Sequence, residues 1–340
     1  MKRFFTYFFP VIFFMFFLSG CRFKNDSSMV ERTDFMLNTV ISVRLYDGTK
    51  EQLDTCMDMI RNYDALFSDT DPDSDISRIN SSDTYVTVDP ETIELLNTAI
   101  SYANDSDGLF DPAIGALTSL WDFHSDMANV PDEAALKAAA ATVDCDNIHI
   151  SGDEVMTDGG TRIDLGGIAK GYITDRLRDY LISEGVTSAS ISLGGNVYII
   201  GEKPVQGFSF FSKSSGEPFT VGIQKPFSDN GTPACTIQVR DKSVVTSGVY
   251  QRYFKKDGRL YHHLLDTATG CPIENGLYSV TIISDDSVDG DALSTAVFAM
   301  GLSRGLDYVE NLPGIEAIFI TDTNDTHTTS GMDAYNIYVY

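Results

Sequence analysis

Residues 162–172 read Arg162-Ile163-Asp164-Leu165-Gly166-Gly167-Ile168-Ala169-Lys170-Gly171-Tyr172: a strand-like run ending on an acid, a turn through two glycines, and a helix opening with a lysine. Glycines let backbone N–H and C=O groups approach a ligand closely, and a helix N-terminus favours phosphate oxygens. Lys170 is placed to add charge or hydrogen bonds there. The same stretch also fits an ordinary strand–helix turn with a surface lysine. A second glycine turn, Leu193-Gly194-Gly195-Asn196, again follows an apolar strand. Neither segment is a GxGxxG, and neither resembles a dinucleotide fingerprint with its downstream acid.

Outward from these turns, strand and helix patterns mix without regular βαβ alternation. Strands are expected at Thr39 to Tyr46, Thr161 to Leu165, Ala189 to Leu193, Phe219 to Ile223, Ala234 to Val239, Ser243 to Thr246, Tyr278 to Ser284, Ala317 to Ile320 and Ile337 to Tyr340. Apolar residues at helical spacing predict helices over Glu51 to Phe67, Glu91 to Ala103, Glu133 to Thr142, Lys170 to Gly185 and Asp291 to Met300. Asp69 to Asp75 reads as an acidic loop, and Ser74 to Asn80 as a polar loop entering an ordered segment. The pattern predicts an α+β fold. The chemistry-bearing stretches are spread along the chain, which argues for one domain over 33–340.

The 340 residues, 43% hydrophobic, suffice for a sizeable core. With 24 basic and 49 acidic residues the formal charge is −25. Such a surface repels phosphate backbones, which argues against nucleic-acid binding. A phosphate-bearing substrate would need local neutralisation, for example by a divalent cation. Lys2 and Arg3 precede an apolar run from Phe4 to Leu18, of signal-peptide length and short for a membrane span. The run ends at Leu18-Ser19-Gly20-Cys21, the pattern of a lipoprotein signal: residues 1–20 removed and the Cys21 thiol acylated. A domain held at the external face of the cell membrane follows. Residues 21–32 are polar and read as a flexible tether. Cys56, Cys145, Cys235 and Cys271 are scattered without CxxC spacing, which argues against zinc and leaves disulfides open.

Three further stretches carry chemistry. In Tyr261-His262-His263-Leu264-Leu265-Asp266, two of only five histidines sit beside an acid. Such an imidazole can be a general base or nucleophile, or simply a partly buried strand residue. In Asp289-Gly290-Asp291-Ala292-Leu293-Ser294-Thr295-Ala296, Asp291 and Thr295 are spaced i and i+4 and share a helix face. Two hard oxygens there suit Mg²⁺, though an N-cap and a core threonine would look the same. Gly108-Leu109-Phe110-Asp111-Pro112, running on to Leu120-Trp121-Asp122-Phe123, is an aromatic-rich turn able to hold a flat ring system.

Taken in order, these motifs, with Ser74 to Asn80 and Thr246-Ser247-Gly248, resemble the FAD:protein FMN transferases, the ApbE-type flavin transferases, from about Phe35 to Gly301. The resemblance implies a single α+β, T-fold-like domain with mixed or antiparallel sheets and flanking helices, and FAD in a central cleft. Mg²⁺ would bridge the pyrophosphate while a Ser or Thr hydroxyl of an acceptor protein attacks the FMN phosphorus and AMP leaves. By the same resemblance Asp164 and Lys170 contact FAD, and Leu109, Phe110, Asp111 and Leu265 border the flavin nucleotide. Gly167 (through its backbone), Asp291 and Thr295 hold the metal, with Ser294 beside them, and His263 deprotonates the acceptor. An exported enzyme further implies an extracytoplasmic, membrane-associated redox protein as acceptor. An FAD pyrophosphatase releasing FMN and AMP, and a non-catalytic flavin-binding lipoprotein, are the alternatives.

Two departures from the family pattern stand out. Its Met-Gly-Thr reads Leu37-Asn38-Thr39 here, removing a glycine that permits close FAD approach. Its Asp-Pro-x-Thr-Gly turn reads Asp266-Thr267-Ala268-Thr269-Gly270, and losing proline is expected to loosen that turn.

Overall fold

The structure, a computed structural model, describes residues 29–123, 129–204, 216–229 and 231–340. The expected signal segment, Cys21 and most of the expected tether lie outside the described residues.

Eight strands form one sheet in strict chain order: β1 (Val30–Met36), β2 (Thr39–Leu45), β3 (Ser188–Leu193), β4 (Asn196–Gly201), β5 (Lys242–Gly248), β6 (Leu277–Ser284), β7 (Glu316–Thr321) and β8 (Thr326–Thr328). Each runs antiparallel to its neighbours. The sheet is thus a meander with long insertions, consistent with the α+β expectation. Between β2 and β3 lie α1 (Lys50–Phe67), α2 (Asp75–Asn80), α3 (Pro90–Asp105) and α4 (Ala169–Ser183); between β6 and β7 lie α5 (Ser287–Met300) and α6 (Leu302–Glu310).

Side-chain alternation explains the layers. On β6, Val280 and Ile282 pack against Leu293, Val297 and Phe298 of α5. Ile283 points the other way, onto Ile223, Ile237 and Val239 of a small sheet built from Phe219–Gln224, Pro233–Val239 and Tyr338–Val339. A strand covered on both faces places apolar side chains at consecutive positions rather than alternating ones, as Ile282-Ile283 does here. On β2, only Ile41, Val43 and Leu45 face the helices, so it alternates.

Four sequence expectations change. Val30–Met36 is a strand paired with β2, so the last three residues of the expected 21–32 tether belong to the sheet. Thr161 to Leu165 is extended but joins no sheet. Ile163 N–H and C=O are bonded by the Asn80 side chain at 2.7 and 2.8 Å, and Asp164 N donates to Pro112 O at 2.8 Å. A side-chain amide thus replaces the partner strand. Ser74 to Asn80 is no loop, because the Ser74 hydroxyl caps α2 by accepting from Ser77 N at 3.0 Å. And α5 begins at Ser287, four residues before Asp291, so Asp291 is not its N-cap. Cys56, Cys145, Cys235 and Cys271 are all free thiols.

Candidate active site

Leu109, Phe110, Asp111, Asp164, Gly167, Lys170, His263, Leu265, Asp291 and Thr295 all line one cavity of about 590 Å³. Residues spread over nearly two hundred positions of sequence converge there because the turns at the ends of α4, β3 and β5 open into the same space.

The deep wall is made by α4 and α5. Asp291 is 5% exposed, and its carboxylate accepts from Gly171 N at 2.6 Å and from Asn196 Nδ2 at 3.1 Å. Burial pushes its proton affinity up; nearby Lys170, Asn196 and Gly171 pull it back. A buried carboxylate with oxygens beside it is a site that favours a counter-charge. Asn196 is delivered by the β3–β4 turn, where Gly194 (φ +58°) and Gly195 (φ +101°) adopt the left-handed backbone of a two-residue hairpin. Gly171 has no room for a side chain, since a Cβ there would meet Ser287 O at 2.4 Å. Thr295 lies one turn along α5 from Asp291, with Ser247 Oγ at 3.4 Å from its hydroxyl. Ser294, grouped with the metal ligands by resemblance, does not line the cavity: it is buried, its hydroxyl paired with Ser247 at 2.8 Å and donating to Asp291 O at 3.1 Å.

The floor is the 164–170 turn. Asp164 accepts from Gly166 N at 2.8 Å and from Thr118 Oγ1 at 2.7 Å, which leaves Gly166 and Gly167 exposed to the cavity. Lys170 Nζ donates back to Gly166 O at 2.9 Å. Phe110 lies over this turn, 3.1 Å from where a Gly167 Cβ would stand. The Asp111 carboxylate ties its own loop to the segment at Cys145, accepting from Ala113 N at 2.8 Å and Cys145 N at 3.2 Å. Burial raises its proton affinity.

The outer wall follows a two-stranded ribbon, Tyr253–Lys256 with Arg259–His262. His263 is partly open to the cavity, and its Nδ1 lies 3.4 Å from Arg252 O. Burial, with Arg252 and His262 nearby, pushes its pKa down to about 3, so the imidazole is neutral. The following turn, which lacks the family's proline, is held by hydrogen bonds. Asp266 Oδ1 accepts from Ala268 N, Thr269 N and Thr269 Oγ1, and the replacing Thr267 donates to Gly108 O at 2.9 Å. At the other departure, Leu37 (φ +55°) and Asn38 (φ +54°) both hold the left-handed backbone of the β1–β2 hairpin. Asparagine tolerates that conformation better than most residues. Both residues line the cavity.

Sequence reasoning gave Asn196, Gly171 and Asn80 no role of their own, although each lies within a stretch it quoted.

Fold and cavity together define a class: an antiparallel α+β domain with one deep cleft in which a buried carboxylate, a glycine turn and a neutral imidazole face one another. The profile described as the ApbE family matches residues 37–319. FAD:protein FMN transferases from Treponema pallidum and Klebsiella pneumoniae are each 33% identical, covering 88% of this chain and 87% and 92% of those proteins. The crystal structure of an ApbE protein from Thermotoga maritima superposes with TM-score 0.79 at 31% identity, covering 91% of this chain and 99% of that one. The apo flavinyl transferase ApbE from Pseudomonas stutzeri gives 0.77 at 28%, covering 91% and 96%. The chain belongs to the ApbE family.

Proposed function

We propose that this protein transfers FMN from FAD to a Ser or Thr hydroxyl of an acceptor protein, with Mg²⁺ at Asp291, Thr295 and the Gly167 backbone. The observation that carries this is the convergence of those groups with His263 in one cavity of about 590 Å³, in a chain whose relatives bear that activity in their names. The residues suit the ion: the donors are hard oxygens, and the Asp291 carboxylate is buried. Bound there, Mg²⁺ would neutralise pyrophosphate charge, which an acidic protein cannot do with its own surface.

The chain's residues supply the rest. Exposed Gly166 and Gly167 let backbone approach the phosphates, and Lys170, at the start of α4, adds positive charge. Leu109, Phe110 and Leu265 border the ring system. With Nδ1 facing the Arg252 carbonyl, a proton on Nδ1 leaves Nε2 of His263 to take the acceptor's hydroxyl proton. The acceptor oxygen then bonds to the FMN phosphorus, the bond from that phosphorus to the bridging oxygen breaks, and AMP departs with the electron pair. Alignment and charge neutralisation dominate such transfers.

The lipoprotein pattern at Cys21 supports export and anchoring to the external membrane face, with an extracytoplasmic redox subunit as acceptor. Cys21→Ala should move the protein from the membrane fraction to the soluble one; retention on membranes would contradict the anchor. The activity is tested by incubating purified protein with FAD, Mg²⁺ and a candidate acceptor domain. An acceptor mass increase equal to FMN is expected. Free FMN without adduct would indicate a pyrophosphatase, and intact bound FAD a carrier.

A further inference from the structure

Two carboxylates cross-link α4 and α5, and only one of them faces the cleft. Asp291 of α5 accepts from Gly171 N in the first turn of α4 at 2.6 Å. One turn along α4, buried Asp175 does the converse: Oδ1 accepts from Ser287 N at 2.8 Å and Oδ2 from Val288 N at 2.9 Å, the first N–H groups of α5. These N–H groups have no partner within their own helix. The N-cap residue of α5, Asp286, makes no side-chain cap, because its carboxylate is held by Arg178 at 2.7 Å. Arg178 also donates to Asp175 Oδ1 at 3.0 Å, fixing the acceptor itself. Asp175 therefore caps α5 from a neighbouring helix.

The numbering of these links is regular. Asp175 meets Ser287, and Gly171, one turn earlier on α4, meets Asp291, one turn later on α5. The next pair in that progression is Gly167 and Thr295, both on the cavity wall and both assigned above to the cation. A one-turn slip between the helices moves one set of ligands about 5–6 Å past the other. The close approach at Gly171 allows no side chain between them.

We propose that Asp175 is a positioning residue: by capping α5 from α4 it sets the register that brings the Gly167 turn, Asp291 and Thr295 around one cation. This rests on the metal assignment proposed above. Groups that orient ligands without touching the metal typically change metal affinity 10–100-fold when replaced. Asn at 175 keeps the shape, but its amide can accept through only one atom and turns N–H₂ toward the second donor.

The test is Mn²⁺ titrated into the full-length protein, with and without FAD, counting free ion by electron paramagnetic resonance. Asp175→Asn should weaken Mn²⁺ binding about tenfold while leaving FAD fluorescence quenching within about threefold. Tyr102→Phe, which removes the hydrogen bond to Asp289 elsewhere on α5, should leave Mn²⁺ affinity within about twofold. Equal weakening by both variants would mean generic destabilisation and overturn the assignment, as would unchanged affinity in Asp175→Asn. Should Asp175→Asn not fold, Arg178→Gln, which leaves the cap but frees it to move, carries the test: about threefold weaker binding supports the role, and wild-type affinity overturns it. Wild-type binding lost in Asp291→Asn but kept in Asp175→Asn removes only the role of Asp175. No Mn²⁺ binding by the unsubstituted protein removes the metal assignment, and this inference with it.

Discussion

The two walls of the cleft are built in opposite ways. The α4–α5 wall is deep and its polar anchors are hydrogen-bonded: Asp291, Asn196 and Asp175 each meet defined partners at 2.6–3.1 Å. The opposite wall hangs from a two-stranded ribbon secured by ring stacking, Phe254 on Tyr261 at 5.1 Å and Trp121 on Phe123 at 5.4 Å. His263 on that side is held to one carbonyl, Arg252 O, through its backbone N–H at 3.2 Å and its Nδ1 at 3.4 Å. On the proposed mechanism, the side that would hold charge is the more densely hydrogen-bonded, and the side that would accept a proton is held by fewer contacts. Damage to the two should therefore separate: binding and stability on the helical side, rate on the ribbon side.

The sharpest way to break that contrast is His263→Ala. Transfer should fall about 10³-fold or more, at the scale of losing a general base, with FAD affinity nearly unchanged by fluorescence quenching. Near-normal turnover would remove His263 from the chemistry, and lost FAD binding would dissolve the division between walls. On the other side, Asp291→Asn should raise the Mg²⁺ concentration for half-maximal transfer about 10–100-fold; an unaltered titration would refute the metal pair. Gly171→Ala forces a Cβ to 2.4 Å from Ser287 O and should cost about 1–3 kcal/mol, seen as a lower melting midpoint. A melting curve like wild type would show slack between the helices.

The smallest effect concerns pH. Buried His262, its Nε2 3.1 Å from Ile273 O, has its pKa pushed down to about 4. Between pH 4 and the ordinary value near 6.5, the unfolded chain binds a proton that the folded one refuses. That contribution to stability is therefore full above the unfolded value and is lost as pH falls through the window. His262→Gln should flatten the acid side of the melting-versus-pH curve, by at most about 1.4 kcal/mol per pH unit. An identical slope in the variant would contradict it.

The ribbon side and the helical side were also unequally legible in sequence. The α+β class was readable because strand and helix patterns mix along the chain without regular βαβ alternation. The spacing places Lys170 after a glycine turn and Asp291 and Thr295 on one helix face, whereas their roles and that of His263 came from the family resemblance. What could not be read depends on contacts between distant segments. Asn80 replaces a strand for residue 163, Asp175 caps a helix more than a hundred positions away, and Thr267 substitutes for proline by reaching Gly108. Asp164 and Asp111 look alike in sequence as acids beside turns, yet each carboxylate ties its own turn to a distant segment, Asp164 to Thr118 and Asp111 to Cys145.

One measurement bears most directly on the whole account: an anomalous difference map from a crystal soaked with Mn²⁺ and FAD. A single strong peak bounded by Asp291, Thr295 and the Gly167 backbone, with the pyrophosphate against it and the flavin beside Leu109 and Phe110, is the predicted result. A peak instead at Asp144, Cys145 and Asp146, the one group of three or more His, Cys, Asp or Glu among the described residues whose potential ligand atoms lie within 4.8 Å of one another, with none at Asp291, would contradict it.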